Sequence, residues 1–499
     1  MEVVIDLVIK IFVPLIIVVY VCCLVIIFCY SLLQLNMLKY FKIYQKKNKL
    51  KCKIPEKLPR VTIQLPLYNE FYVIKRLLKC ITNLEYPKEL IQIQVLDDST
   101  DESLLVTKKI VSKYKDKGIP IHHIIRSKRK GFKAGALKNG LKTASGEFIA
   151  IFDSDFLPNP DWLLKTIPYF QNNKVGVVQT RWGHLNREHS ILTQVQAFAL
   201  DAHFLLEQVG RNQQKHFINF NGTAGIWRKD CIIDSGNWKA DTLTEDLDLS
   251  YRAQLKDWEF VYLDNVVTPG ELPITINAIR SQQFRWNKGG AENFRKLVAK
   301  ILFSGKYTFN KKINAFFHLF SSNMFLNVFL IAILSVPLIF IKETFPEYEL
   351  IFNMSSLFIL STIIFFYCYW HVHKHSFGGG FYSFLIYIKR FINFYTLILG
   401  FSVHNSVAVL EAYLGKKSAF IRTPKFNQSS LKNFKYSENK ISPYSLLELV
   451  LSIYFLFGIL CSLSFNKSFN LGMFLFHLVL FIGFGIISYF GISQNINNE

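Results

Sequence analysis

Apolar runs of membrane length limit the folds open to this sequence more than any other feature. Residues 7–36 form the first, long enough as a helix to cross about 30 Å of hydrocarbon. The run is too long for the core of a secretory leader and lacks a small-residue cleavage site, so it is expected to stay as an anchor. Further runs at 314–341, 354–370, 443–463 and 469–490 bring the expected spans to five. Lys39, Lys42, Lys46, Lys47, Lys49, Lys51 and Lys53 follow the first run. Because cations accumulate on the cytosolic side of a membrane, they put the next segment in the cytosol and the N-terminus outside. Glu343 to Glu349, with three glutamates, reads as an outer loop. The stretch 379–414 carries Lys389 and Arg390 near its middle and basic flanks on both sides, so an interfacial placement is expected for it.

Composition agrees with a chain that is part membrane and part soluble: 51% of residues are hydrophobic and 47 are Phe. The formal charge of +22 gathers beside the apolar runs, which favours a lipid surface over nucleic acid as its partner. The eight cysteines show no C-x-x-C spacing and several lie in apolar segments. Neither a zinc site nor a disulfide framework is indicated. Gly378-Gly-Gly380 is the one obvious hinge, and residues 291–304 look like an amphipathic helix with Arg295, Lys296 and Lys300 on a polar side, suited to the membrane surface.

From about 58 to 300 the texture is that of a soluble α/β domain. Val61–Leu65, Ile91–Leu96, Ile121–Ile125 and Phe148–Phe152 are short β-branched or apolar runs, with helix-length segments between the first three. That alternation predicts a mostly parallel sheet, whose ligands sit at the carboxyl ends of its strands. Tyr68-Asn69-Glu70, Asp97-Asp98 and Asp153-Ser154-Asp155 all follow strands in this way. Acid or amide groups at three strand ends are the pattern of a nucleotide pocket.

Several groups carry recognisable chemistry. Asp153 and Asp155 suit a divalent cation bridging a diphosphate, the alternative being a turn or helix cap. Asp98 is placed to receive a base or ribose hydroxyl and Tyr68 to stack on a base; a capped helix start is the competing reading for both. Lys133, on the glycine-bracketed turn Lys130 to Gly135, offers a cation to a diphosphate, or belongs to a solvated basic loop. Asn221, Gly222 and Thr223 lie in a small-residue loop able to pass close to a sugar, or to make a tight turn between strands. In Thr244-Glu245-Asp246, Asp246 is the candidate base, taken to be already ionised at cytosolic pH. Direct displacement at an anomeric carbon would invert it. Gln282-Gln-Phe-Arg285-Trp286 adds a fixed charge for a departing diphosphate and a flat face for an acceptor ring, against a helix surface with one buried Trp. The cluster His371, His373, His375 is read as a topological collection of basic residues rather than a metal site. Phe420 to Lys425 forms either a basic membrane rim or a loop reaching back over the pocket.

As an ordered set, Val95-Leu-Asp-Asp-Ser-Thr-Asp101, Gly131-Phe-Lys-Ala-Gly-Ala-Leu137, Phe152-Asp-Ser-Asp-Phe156, Phe220-Asn-Gly-Thr-Ala-Gly225, Thr244-Glu-Asp246 and Gln282-x-x-Arg-Trp286 resemble the processive membrane glycosyltransferases of family 2, the cellulose synthase superfamily. The nearest likeness is to the cellulose-synthase-like mannan and glucan synthases of plants. The resemblance covers about 60 to 300; beyond that it is one of architecture. It implies a GT-A fold, a nucleotide-sugar donor such as UDP-glucose or GDP-mannose, a Mg²⁺ or Mn²⁺ ion, a β-linked polysaccharide product and its export through the spans.

Carried across, the resemblance gives Tyr68, Glu70, Asp98, Lys133, Asp153, Gln282 and Arg285 to the donor, Asp153 and Asp155 to the metal, and Asp246 with Glu245 and Thr244 to catalysis. Trp286, Asn221, Gly222 and Thr223 go to the acceptor. Phe420, Arg422, Thr423 and Lys425 look like a gating loop, although Arg-Thr-Pro-Lys departs from the F-x-V-T-x-K form of the cellulose synthases.

The expected architecture is therefore an anchor (1–40), a cytosolic GT-A domain (41–305) and a transmembrane channel domain (306–499) with its gating-type loop at 415–440. No appended C-terminal regulatory domain is expected. Two rival readings remain: transfer of a single sugar to a lipid such as ceramide or a polyprenyl carrier, and a transporter with a cytosolic regulatory domain. Few buried charges and no repeated halves count against the transporter. Richness in Lys, Ile and Asn points to an AT-rich genome and so to a bacterial plasma membrane.

Overall fold

The computed structural model describes residues 2–47, 52–353, 356–425, 442–464 and 471–496. Its centre is a seven-stranded sheet of β1 (Val61–Leu67), β2 (Ile91–Asp97), β3 (Ile121–Ile125), β4 (Phe148–Ile151), β5 (Val175–His184), β6 (Gly225–Arg228) and β7 (Glu259–Gly270). The strands lie in the order β3-β2-β1-β4-β6-β5-β7. Only the short β6 runs antiparallel to its neighbours β4 and β5, so the sheet is mostly parallel, as expected. The four strands foreseen in the sequence are β1 to β4. The other three carry weaker signals: β6 has four residues, β5 turns polar over its last third, and β7 is broken by a bulge opposite Thr180 and Arg181.

Both faces of the sheet are covered, which is why β1 reads as a continuous buried run rather than an alternating one. On one face Ile63, Leu65 and Val95 pack with Leu77, Leu78 and Trp162. On the other, Ile149 and Ile151 pack with Leu137, Leu141 and Leu249. The polar members of β1 pair with those of β2: Gln64 Nε2 donates to Gln94 Oε1 (3.0 Å) and Thr62 Oγ1 to Gln92 Oε1 (2.8 Å). Buried amides paired in this way cost little and fix the register.

The N-terminal helix, Glu2–Lys46, is much longer than a bilayer is thick. Its last turns enter the core of the sheet domain through Met37, Leu38 and Phe41. Two polar groups of this helix, Tyr30 Oη (3.1 Å) and Gln34 Nε2 (2.8 Å), donate to Glu207 Oε1. Glu207 lies on a π-helical turn, Ala202–Gln208, that continues the Ile191–Asp201 helix; its other oxygen meets Arg211 (3.2 Å) and His203 (3.1 Å). Burial raises its pKa, but Arg211 and then His203 outweigh burial and hold it well below the usual carboxylate range.

Among the described residues four helices are long and apolar enough to cross a membrane: Lys10–Lys46, Asn323–Thr344, Pro443–Ser464 and Leu471–Ser493. A fifth candidate is the pair Phe381–Gly400 and Ser402–Tyr413, bent by 48°. This pair occupies the stretch read as interfacial, and Gly378 and Gly380 before it take φ of +83° and +111°. The run expected at 314–341 is divided, because the chain breaks at Ser321-Ser322 between helices Phe309–Phe320 and Asn323–Thr344. The run at 354–370 falls in helix Ser356–Phe377, which is not among the four; residues 354 and 355 lie outside the described residues. In that helix His373 is buried and stacks on Trp370 (5.9 Å between ring centres).

One expectation is corrected. Residues 291–304 are not a separate surface helix but the end of a helix of 27 residues, Ile276–Leu302. Leu297 and Ile301 are buried against Phe217, Tyr251 and Leu319. Two of the three cations expected on the lipid side are engaged with protein: Lys296 pairs with Asp248 (2.6 Å) and Asp241 (2.8 Å), and Arg295 donates to the Ala412 carbonyl; Lys300 is exposed.

Candidate active site

One cleft opens above the carboxyl ends of β1, β2 and β4, between the sheet and the Ile276–Leu302 helix. Of the residues expected to serve donor, metal, catalysis, acceptor or gating loop, only Thr223 is absent from its lining. Thr223 is fully buried behind it, where its hydroxyl accepts the Asp153 N–H (2.8 Å). It positions Asp153 and has no surface to offer a sugar.

The donor side begins at the ends of β1 and β2. Asp98 lines the cleft, yet its carboxylate is already held in a two-pronged pair by Arg126, Nε at 2.8 Å from Oδ1. The ring of Tyr68 carries the guanidinium of Arg129 at 3.4 Å from its centre. Stacking on a base and holding a ribose were the expected roles of these two residues; both meet an arginine first. Asn69, at φ +57°, turns the chain back, and its side chain accepts the Thr100 N–H (2.9 Å) so that the two strand-end loops are tied together. Glu70 is buried, and burial pushes its pKa up to about 7 against the pull of Arg422 and Lys425.

At the end of β4, Asp153 and Asp155 face two lysines. Lys133, in the first turn of the Phe132–Leu141 helix, reaches Asp153 Oδ1 at 2.5 Å and the Gly222 carbonyl at 3.0 Å. Burial disfavours its charge, but Asp153 and Glu245 more than compensate, so its pKa is raised. Lys425 lies 2.9 Å from Asp155 Oδ2, which also accepts the Glu271 N–H (3.0 Å). Among the described residues no cluster of three or more His, Cys, Asp or Glu is set to hold a metal alone. A pair of carboxylates suits an ion whose remaining ligands are phosphate oxygens. Asp155 Oδ1, buried without a hydrogen-bond partner in the protein, is an acceptor left for such an ion.

Thr244, Glu245 and Asp246 open the Glu245–Leu255 helix, where the dipole favours negative charge. Asn293 of the Ile276–Leu302 helix donates to the Thr244 hydroxyl (2.9 Å). Gly289 allows that close approach, since a Cβ there would lie 2.5 Å from Thr244 Oγ1. Asp246 Oδ1 accepts the Leu247 N–H (2.9 Å). Burial, then repulsion from Glu245, pushes the Asp246 pKa up to about 7, and burial likewise raises that of Glu245. Burial and Glu245 thus make Asp246 a weaker acid than the freely ionised carboxylate expected from the sequence. Gly222 stands opposite, at φ +80°, where a Cβ would come 3.0 Å from Asp246 Oδ2.

Gln282, Arg285 and Trp286 line the cleft from the Ile276–Leu302 helix. Arg285 donates to Thr423 Oγ1 (2.9 Å) and sits 4.5 Å from the centre of the Phe420 ring. Trp286 remains 37% exposed at the cleft mouth, not buried as a structural Trp would be. All four residues of the expected loop motif enter the cleft: Phe420 stacks on Phe132 (5.7 Å), Arg422 pairs with Glu70 (3.3 Å), and Thr423 and Lys425 make the contacts above. Positions 426–440 of the expected loop lie outside the described residues.

No motif marks Trp182, His184 and Glu271, which also line the cleft. His184 sits 3.4 Å from Asp201, and Glu271 pairs with Arg76 (2.7 Å). They come from the ends of β5 and β7, strands whose limits the sequence did not mark. His203 reaches the acceptor-side loop as well, its Nε2 3.2 Å from Asn221 Oδ1.

Residues 59–289 match the profile of the family described as glycosyltransferase like family 2. A probable glucomannan 4-beta-mannosyltransferase 11 of Oryza sativa subsp. japonica is 43% identical over 270 residues, 52% of this chain and 47% of that protein. Glucomannan 4-beta-mannosyltransferase 9 of Arabidopsis thaliana is 37% identical over 315 residues, 61% of this chain and 59% of that protein. The chain thus spans about half the length of the curated relatives it matches. Both are plant proteins, and they lend no support to a bacterial source. Among solved structures, the mannosyltransferase PcManGT from Pyrobaculum calidifontis, in complex with GDP-Man and Mn²⁺, superposes with a TM-score of 0.53 at 17% identity, covering 80% of this chain and all of that one. The sheet domain has the GT-A-like fold of that neighbour.

Proposed function

Residues 59–289 being a family 2 glycosyltransferase domain, we propose that this chain is an inverting hexosyltransferase, transferring a hexose from a nucleotide sugar to a growing β-glycan at the cytosolic face of a membrane. One observation supports the reading above all: the buried Asp246, whose carboxyl burial and Glu245 push above the ordinary range, shares a cleft with Lys133, Asp153 and Arg285, groups suited to a diphosphate, and with an open indole, Trp286. A base poised near working pH combines a useful ionised fraction with the strongest drive for proton transfer.

In this reading Asp246 takes the proton of the acceptor hydroxyl as its oxygen bonds to the anomeric carbon. The bond from that carbon to the diphosphate breaks on the opposite face, which inverts the configuration. Arg285 and Lys133, fixed in a cleft of low dielectric, stabilise the charge that grows on the departing diphosphate. Asp153 and Asp155 would hold a divalent ion, Mg²⁺ or Mn²⁺, which neutralises part of that charge when bound. The mannosyl relatives and the GDP-Man of the fold neighbour favour a GDP-mannose donor over UDP-glucose. Trp286 presents a face on which the terminal acceptor ring can stack. Phe420 to Lys425 would close over the donor, and the apolar helices would carry the product outward.

Membranes containing the chain are given radiolabelled GDP-mannose or UDP-glucose with Mg²⁺ or Mn²⁺. An alkali-stable polymer supports the proposal. Label found only in a solvent-extractable glycolipid overturns the processive part, and no transfer from either donor overturns the assignment.

A further inference from the structure

The segment that enters the cleft is fastened at two ends. After helix Ser402–Tyr413 the chain turns at Gly415, φ +69°, and runs as an extended strap to Lys425. Its far end meets Asp155 and Glu70 through Lys425 and Arg422. Its near end is tied to Lys288. The Lys288 side chain is fully buried, and its ammonium lies 2.9 Å from Glu411 Oε2 and 2.5 Å from Ser418 Oγ. Ser418 Oγ in turn donates to Glu411 Oε2 (3.2 Å), while the second Glu411 oxygen pairs with Lys416. A buried ammonium is costly unless its donors are met, so the three groups hold one arrangement.

Lys288 stands on the helix that presents Arg285 and Trp286, one turn beyond Arg285. Arg285 grips the far end of the strap at Thr423; Lys288 grips its root. Any displacement of this helix moves both points of attachment together.

We propose that Lys288, through Glu411 and Ser418, is a positioning residue: a latch that sets how the strap seats over the donor and couples that seating to the helix holding the acceptor. The proposal rests on the reading above that the strap covers a nucleotide-sugar site. Loosening the latch is expected to weaken donor capture more than chemistry, because the reacting groups are untouched.

The test uses the full chain in detergent or nanodiscs, with Lys288→Met, Lys288→Arg, Glu411→Gln and Ser418→Ala. Two readouts are taken: donor KM against kcat, and trypsin cleavage after Arg422 and Lys425 by mass spectrometry. Lys288→Met and Glu411→Gln are expected to raise the donor KM about tenfold with kcat within about twofold, and to speed cleavage after Arg422 several-fold. Lys288→Arg should restore both. Wild-type cleavage in Glu411→Gln, or a fall in kcat at unchanged KM, overturns the latch. If Lys288→Met does not fold, Glu411→Gln and Ser418→Ala decide. If even the wild-type chain turns over no nucleotide sugar, the functional reading fails while the cleavage comparison still decides the latch.

Discussion

Lys133 and Asp153 are joined across the floor of the cleft at 2.5 Å, and a second lysine, Lys425, stands 2.9 Å from Asp155. Both carboxylates thus have a cation close by, and in the proposed reading a divalent ion meeting Asp155 at its unpartnered Oδ1 would compete with the ammonium of Lys425 at Oδ2. Lys425→Met is expected to strengthen Mn²⁺ binding in the absence of donor several-fold, and Asp155→Asn to weaken it at least about tenfold. Titration of Mn²⁺ by electron paramagnetic resonance measures both. Equal affinities in all three proteins would mean that the ion binds elsewhere.

Asp246→Asn should lower turnover about 10²- to 10⁴-fold, the range for loss of a general base, without lowering the melting temperature, since it also removes repulsion with Glu245. Wild-type turnover in this variant would remove Asp246 from the mechanism.

The raised pKa of Asp246 sets a pH profile. The base works deprotonated, so log(kcat/KM) should rise with unit slope below about pH 7 and level off above it. Stability of the ligand-free protein runs the other way. The folded state holds the protons of Asp246 and Glu70 more tightly than the unfolded chain does. The stabilisation is fully present below the unfolded carboxylate pKa, around 4, and is lost as pH rises through about 7. Melting temperature should fall between pH 6 and 8, and less steeply in Asp246→Asn. A profile flat from pH 5 to 8 would refute the assignment.

Gly222→Ala places a methyl group 3.0 Å from Asp246 Oδ2 at a φ of +80°. The left-handed backbone alone costs about 1–2 kcal/mol, and displacement of the carboxylate should reduce kcat about tenfold or more. Calorimetry and steady-state rates separate the two effects.

Trp286→Ala should leave donor hydrolysis within about threefold while shortening the product, if the indole serves the acceptor alone. Size-exclusion chromatography of the labelled glycan reads the chain length. A drop in hydrolysis equal to the drop in polymer would assign Trp286 to the donor.

Residues at the ends of regular strands were legible in the sequence. Tyr68, Asp98 and Asp153 each follow an apolar run, and local pattern alone puts them near one edge of a sheet; Asp246 stood out only through its Thr-Glu-Asp motif. Partnerships were not legible. Nothing near Asp98 in sequence foretells Arg126, and the burial that raises Asp246 towards 7 comes from elements far along the chain. Trp182 and Glu271 sit at the ends of strands whose pairing depends on a bulge and a four-residue neighbour, which no alternation reveals. Residues 291–304 misled because amphipathicity measures a need for a partner on one face and does not say whether lipid or protein supplies it.

The hydrogen bonds from Tyr30 and Gln34 to Glu207 bear on how this protein can be cut down for study. A fragment beginning after residue 51 would lack both donors, leaving an interior carboxylate to rely on Arg211 and His203, and would bare the sites of Met37, Leu38 and Phe41. His203 touches Asn221, so the damage would reach the acceptor side of the cleft. The amputated domain would be a poor surrogate, and the first apolar helix is better regarded as a wall of the sheet domain than as its tether.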